Sequence, residues 1–300
     1  MSNQNFDRQY RLRAGVAGSR GFEIGEPTPP FNKALHISFS LERTDSSTLN
    51  TAKFSIWNLN KSHLNTLAKT NCLLELNAGY GERRPCIFRG TISNVITELD
   101  GADRMTEIEA IDGFAETKDT YITVSYRGRT LAKTVLDDAS KKMGLPIKYS
   151  TNARTVALRA CFSKGYSYVG AAKNVLTAAC KIANLSWTIQ NGTLQITRKG
   201  ESISTIAQVL SKETGLIGIP KKIYNSAVAA GEDTGSTLQD SLFGYEVVYL
   251  MNGAIGVNDL VKLQSEEVTG IFRVYKLVID GDNLEGDWQC TAQLVEVGGA

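Results

Sequence analysis

The residues able to do acid–base or metal chemistry are few and poorly placed for it. The chain has two histidines, His36 and His63. Histidine titrates near neutrality and is the usual general acid, base or ligand, so two of them leave little from which to build a catalytic constellation. His36 occupies a polar position of the alternating segment Leu35-His36-Ile37-Ser38-Phe39-Ser40-Leu41, and His63 lies on the outer side of a short amphipathic stretch. Both read as surface residues without a chemical partner. The adjacent carboxylates Asp137 and Asp138 fall in a helical segment, where neighbouring positions point apart. The run Asp280-Gly281-Asp282-Asn283-Leu284-Glu285-Gly286-Asp287 offers alternate oxygens to a hard cation. It has Leu284 and Glu285 where a calcium loop needs an oxygen ligand and a glycine, so a hairpin turn is the better reading.

Other signatures of chemistry are missing or incomplete. No G-x-S-x-G, H-E-x-x-H or G-x-x-x-x-G-K-[ST] occurs. Gly15, Gly18 and Gly21 precede no helical pattern that would make a dinucleotide fingerprint. Cys72, Cys86, Cys161, Cys180 and Cys290 are odd in number and contain no C-x-x-C pair, so they read as reduced core fillers. No catalytic, cofactor-binding or metal-binding residue is assigned, no cofactor is expected, and the chain reads as a non-enzyme. A hydrolase built on two distant carboxylates stays open at this point, since spacing along a chain does not fix spacing in a fold.

The elements that would position any site follow from periodicity. At 300 residues, 42% hydrophobic and 21% charged, the chain is long enough for two or three compact units. A formal charge of +2 gives no whole-surface case for nucleic acid or an anionic membrane. Arg83-Arg84, Lys141-Lys142 and Lys221-Lys222 read as solvated edges. The opening residues lack a signal-peptide layout and no apolar run is long enough to span a bilayer, so the protein is expected to be made soluble in the cytoplasm.

From Tyr10 to Ile111 the period is two, which predicts half-buried antiparallel strands. Asn60 or Ser62 can cap a short helix through Leu64, Leu67 and Ala68, and Asp100-Gly101 can turn a hairpin. Past Thr117 the period becomes helical. Thr130 is predicted to cap a helix stopped by Gly144 and Pro146, a strand follows at Ile147 to Tyr149, and Ser167 is predicted to open a second helix with Val169 inward. Asn191-Gly192 between alternating residues is the strongest hairpin signal. Strands return from Ile203, interrupted by a long small-residue loop over 227–244. Its Leu242 and Phe243, with Tyr245 beyond, are apolar groups suited to anchoring on a partner, which predicts a loop ordered on assembly. The fold class is mainly β with an α/β insertion: two β-barrel-like units, 1–117 and 201–300, flanking a small α/β domain, 118–200.

Several short motifs occur in a telling order. They are Phe54-Ser-Ile-Trp-Asn-Leu59, Leu76-Asn-Ala-Gly-Tyr80, Ile87-Phe-Arg-Gly90 and Ile108-Glu-Ala-Ile-Asp-Gly113, then Trp187-Thr-Ile-Gln-Asn-Gly192, Thr214-Gly-Leu-Ile-Gly-Ile-Pro220, Leu250-Met-Asn252, Val261-Lys-Leu263, Gly270-Ile-Phe-Arg-Val274 and Gly286-Asp-Trp288. In these the chain resembles the phage tail baseplate hub proteins, including the late control protein D group, over most of its length from Thr51 to Val297. The long segment between 227 and 244 departs from that pattern. The resemblance implies a homotrimer whose two barrels per subunit form a six-fold-like ring around a channel, joining the tail tube or a tube-initiator protein to a central spike. It implies a place in the virion tail baseplate, assembled in the host cytoplasm, with the tape measure protein as a further neighbour, no membrane partner and DNA only as passing cargo. Rival readings are a glycan-binding tail module, raised by Tyr121, Tyr126, Tyr166 and Tyr168, and a cell-wall-degrading one.

Overall fold

Alternating side chains make the first third of the chain a run of antiparallel strands. They are β1 (Arg8–Gly15), β2 (Phe22–Ile24), the short pair β3 (Pro27–Thr28) and β4 (Phe31–Asn32), β5 (Ile37–Thr44), β6 (Thr51–Trp57), β7 (Leu73–Tyr80), β8 (Cys86–Asp100) and β9 (Asp103–Ile111). Helix α1 (Lys61–Leu67) sits between β6 and β7, and α2 (Phe114–Lys118) ends the stretch. The computed structural model describes residues 7–25, 27–28, 31–32, 34–225 and 242–297.

The middle third carries β10 (Tyr121–Tyr126), β11 (Thr130–Leu131), α3 (Ala132–Met143), β12 (Ile147–Tyr149), α4 (Thr151–Ala157), β13 (Cys161–Phe162), β14 (Tyr166–Ala171), α5 (Ala172–Ala183), β15 (Leu185–Gln190) and β16 (Thr193–Arg198). The last third returns to strands: β17 (Ala207–Ser211), β18 (Leu216–Asn225), β19 (Leu242–Leu250), β20 (Leu260–Gln264), β21 (Thr269–Asp282) and β22 (Trp288–Glu296). The fold is thus mainly β with a small α/β insertion, as the periodicity predicts.

The two β stretches share one 13-stranded sheet. Its main path runs β18-β19-β22-β21-β5-β6-β9-β8-β7-β1-β2, with β20 beside β21 and β17 beside β20. The join is the antiparallel pairing of β5 with β21, where Leu41 faces Ile279. One hydrophobic core results, drawing Phe54, Leu76 and Phe88 from the first stretch and Val274, Trp288 and Leu294 from the last. Phe39 meets Trp288 edge to face at 5.5 Å across that join.

A second core belongs to the insertion. Helices α3 and α5 bury Val135, Leu136, Ala139, Val175, Leu176 and Ala179 against Trp187, Ile189, Leu194 and Ile196 of the β12-β16-β15 sheet. The Asn191-Gly192 turn takes positive φ at both positions, 51° and 70°, as a two-residue hairpin of this twist requires.

Some local expectations needed correction. Thr130 pairs with Phe162 in a strand and caps nothing; α3 starts from the extended Leu131. Ser167 and Val169 lie in β14, which pairs with β10, so the second helix begins at Ala172 and Val169 is exposed. Strand β21 runs on to Asp282, so the turn of the last hairpin occupies the second half of the acidic run. Asn60 does cap α1, accepting the backbone N–H of His63 at 2.9 Å. Most of the segment 227–244 lies outside the described residues, while 242–244 open β19 as strand.

Candidate assembly interface

The β15–β16 hairpin has two unlike faces. Trp187, Ile189, Leu194 and Ile196 point into the helices' core, and the alternate residues Thr188, Gln190, Gln195 and Thr197 are also buried but polar. They meet the β body across a polar seam. Gln190 Nε2 donates to the Thr44 carbonyl at 2.8 Å, and Asn50 Nδ2 donates to the Ile189 carbonyl at 2.7 Å. Asp112, at the end of β9, accepts the backbone N–H of Asn191 at 2.5 Å and that of Gly192 at 2.9 Å. The Arg43 guanidinium, 4% exposed, donates to the Ile87 carbonyl and the Asn191 side chain. On the other side of the hairpin Arg273 bonds Asp45 at 2.6 Å and Asn258 at 2.7 Å, and Asn258 donates to Gln195 at 3.2 Å.

Burying these charges costs free energy, and the ionisable groups show it. Desolvation pushes Asp112 up to about 6, against the two N–H donors and the positive Arg43. Burial raises Asp45 as well, opposed by Arg273, and it lowers Arg43.

His36, His63 and the acidic run each make contacts within the chain. His36 is half-buried, stacked on Trp57 at 3.9 Å, and its Nε2 lies 3.0 Å from Asp282 Oδ2. This corrects the surface reading, since the partner is 246 positions away and invisible to local pattern. His63 is also half-buried, stacked on Phe22 at 4.1 Å, and burial lowers its pKa. Asp282 accepts the backbone N–H groups of Leu284 and Glu285, so the acidic run is organised as a turn. Asp282 is pushed up by burial, but hydrogen bonds from His36 and from those two N–H groups outweigh this and hold it below the usual carboxylate range. Among the described residues no group of three or more His, Cys, Asp or Glu is arranged to hold a metal. Asp137 takes Lys133 and the Tyr149 hydroxyl while Asp138 takes the Tyr126 hydroxyl, so these carboxylates diverge. Tyr126, Tyr166 and Tyr168 pack against the second core, and Tyr121 is exposed.

Among the described residues, parts of β8 and β18 form strand edges. Residues Asn94–Asp100 of β8 pair with β9 alone, because β7 stops opposite Thr91, and they expose Ile96 and Leu99. Among the described residues, strand β18 pairs only with β19, and it exposes Ile217, Ile219 and Tyr224. Tyr224 stands opposite Phe243, also exposed. Unpaired strand edges and exposed apolar groups are what a partner can use.

Charge is also unevenly divided, a signal that the near-zero total conceals. Residues 118–200 hold 14 Lys and Arg against three Asp, a net of +11. The remaining 19 bases and 28 acids leave the two β stretches at −9 together, of which 201–300 contributes −8. Thirteen of the 14 bases are exposed. Counting charge by unit along the sequence reveals this division without coordinates.

No family model matches the sequence, and no curated protein matches it. Solved structures do. A 43 kDa tail protein of prophage MuSo2 from Shewanella oneidensis aligns with TM-score 0.59 at 10% identity, covering 97% of this chain and 98% of that one. This is the fold of a phage tail protein. A tail protein from Neisseria meningitidis MC58 aligns over 96% of this chain and 97% of its own at 10% identity, TM-score 0.57. A component of the E. coli type VI secretion system, described as structurally similar to the T4 tail proteins gp27 and gp5, shares the tail-protein fold over 88% of this chain and 74% of its own at 6% identity, TM-score 0.55. The hub resemblance read from the motifs agrees with these neighbours.

Proposed function

We propose that the chain is a structural subunit of a phage-type tail, the hub of its baseplate, acting through surfaces and not through catalysis. The observation that carries this reading is the tail-protein fold, matched over nearly the whole length of both chains. In this reading three copies form a ring that joins the tail tube to the central spike and surrounds the path of the genome. Each copy would bring two β units, 1–117 and 201–300, with 118–200 as the α/β unit between them. The free stretch of β8 and the edge of β18 supply two comparable edges per chain, hence six in a trimer, which lets three-fold symmetry meet a six-fold tube. The negative balance of the β units favours passage of DNA over retention, since phosphate contacts from bases would slow it.

Light scattering of the purified full chain tests the assembly. The expected outcome is a trimer, alone or in concentration-dependent equilibrium with monomer, and a stable dimer as the end state would overturn the hub reading. Electron microscopy of tails labelled on this chain tests its place, with signal expected at the tube-to-spike junction.

A further inference from the structure

The charge division assigns the α/β unit a partner. Its exposed helix surface mixes bases with apolar groups: Leu158 stands between Arg154 and Arg159 near the end of α4, and Ile182 follows Lys181 on α5. Leu158 and Ile182 are 48% and 45% exposed, so this is not a plain solvated face. Lys133 pairs with Asp137 on α3, and over 118–200 the sequence sets 14 bases against three acids. The complementary surface lies in the last third of the chain. There the β20–β21 turn exposes Glu266 and Glu267, and the 3-10 turn Lys212–Thr214 after β17 exposes Glu213, with Lys212 the base beside it. The adjoining ribbon exposes Val209 and Ile271, which share a row with Lys262.

We propose that the basic α/β unit of one copy docks on the acidic end of the β17–β20–β21 ribbon of a neighbouring copy. This rests on the ring reading above and names a contact within it. A head-to-tail contact of this kind uses two different surfaces, so it repeats from copy to copy, and a three-fold rotation between copies closes it into the ring proposed above. Opposite net charges of +11 and −8 steer the copies together and penalise register errors that juxtapose like charges. A nucleic acid is the other polyanion a basic unit can take. The acidic complement inside this same chain, and bases spread over four helices, two strands and several loops, favour a second copy.

Assembly of the full chain, followed by sedimentation at low and high salt, tests the contact. The variants are Lys141→Glu with Lys142→Glu, Glu266→Lys with Glu267→Lys, and all four together, each checked for unchanged circular dichroism. All four positions are exposed, so folding is expected to survive. Each pair of reversals should raise the concentration needed for assembly about tenfold or more, and the combination should recover most of the loss. Assembly that ignores both salt and reversal would overturn this contact and leave the ring reading standing. A wild-type chain monomeric at every concentration and salt would remove both. Binding to a DNA duplex that the lysine reversals weaken, with assembly unchanged, would assign the basic surface to nucleic acid and overturn the proposal.

Discussion

The carboxylate of Asp112 holds the backbone N–H of Asn191, 79 positions further along, at 2.5 Å, and so pins the turn of the α/β unit to the end of β9. Replacing Asp112 with Ala leaves two N–H groups without this acceptor and removes the negative charge near the buried Arg43 guanidinium in a desolvated seam. The expected loss is about 3 kcal/mol of folding free energy, read as a lower urea midpoint.

The same carboxyl makes stability depend on pH. Its folded value of about 6 lies above the unfolded 3.8, so its contribution is complete below 3.8 and is lost as pH rises through 6. Comparing wild type with Asp112→Asn by urea denaturation across that window should show the wild type gaining up to about 3 kcal/mol on acidification relative to the variant. Parallel curves would show that Asp112 is not the group responsible.

His36→Ala removes the stack on Trp57 and the 3.0 Å contact with Asp282, and should cost about 1–2 kcal/mol in thermal or urea unfolding. Asp282 titrates in the opposite sense to Asp112. Its depressed pKa stabilises the fold above the unfolded value and ceases to do so as pH falls through the folded one. Without His36, that acid limb should move upward in pH.

Gly113→Ala and Gly101→Ala both place a side chain at positive φ, 70° and 61°. A Cβ at Gly113 would lie 2.5 Å from Ile189 Cδ1, whereas one at Gly101 meets nothing within 4 Å. Gly101→Ala should cost about 1 kcal/mol from the backbone alone, and Gly113→Ala about 1–3 kcal/mol more from overpacking at the seam. Equal melting temperatures for the two variants would refute the difference.

What the sequence discloses depends on how local the cause is. The Asn60 cap, the strand at Ile147–Tyr149 and the Asn191-Gly192 hairpin are set by residues within a few positions, and each can be read directly. The starts of α3 and α5 could not. Strand β14 runs without a break into α5, so Val169 falls in phase with Ala172 and Leu176 and imitates a helical face. His36 looks unpartnered because Asp282 reaches it only once β5 and β21 pair. The seam escapes pattern reading for a different reason: Thr188, Gln190 and Gln195 are polar residues at interior positions, which alternation assigns to solvent. The uneven charge was legible in the sequence, but only when counted unit by unit.

The pairing of β5 with β21 sets a schedule for synthesis. At a ribosomal pace of about 5–20 residues per second, the partner strand emerges roughly ten to fifty seconds after β5. Until then the nascent chain carries β5 with one edge bare and Phe39 without Trp288. The insertion, whose strands and helices close on themselves, can mature while the rest waits. Stalled or truncated translation should therefore yield a folded α/β unit attached to an unsealed and sticky β half, and a cell making many copies would need to shield that half until release.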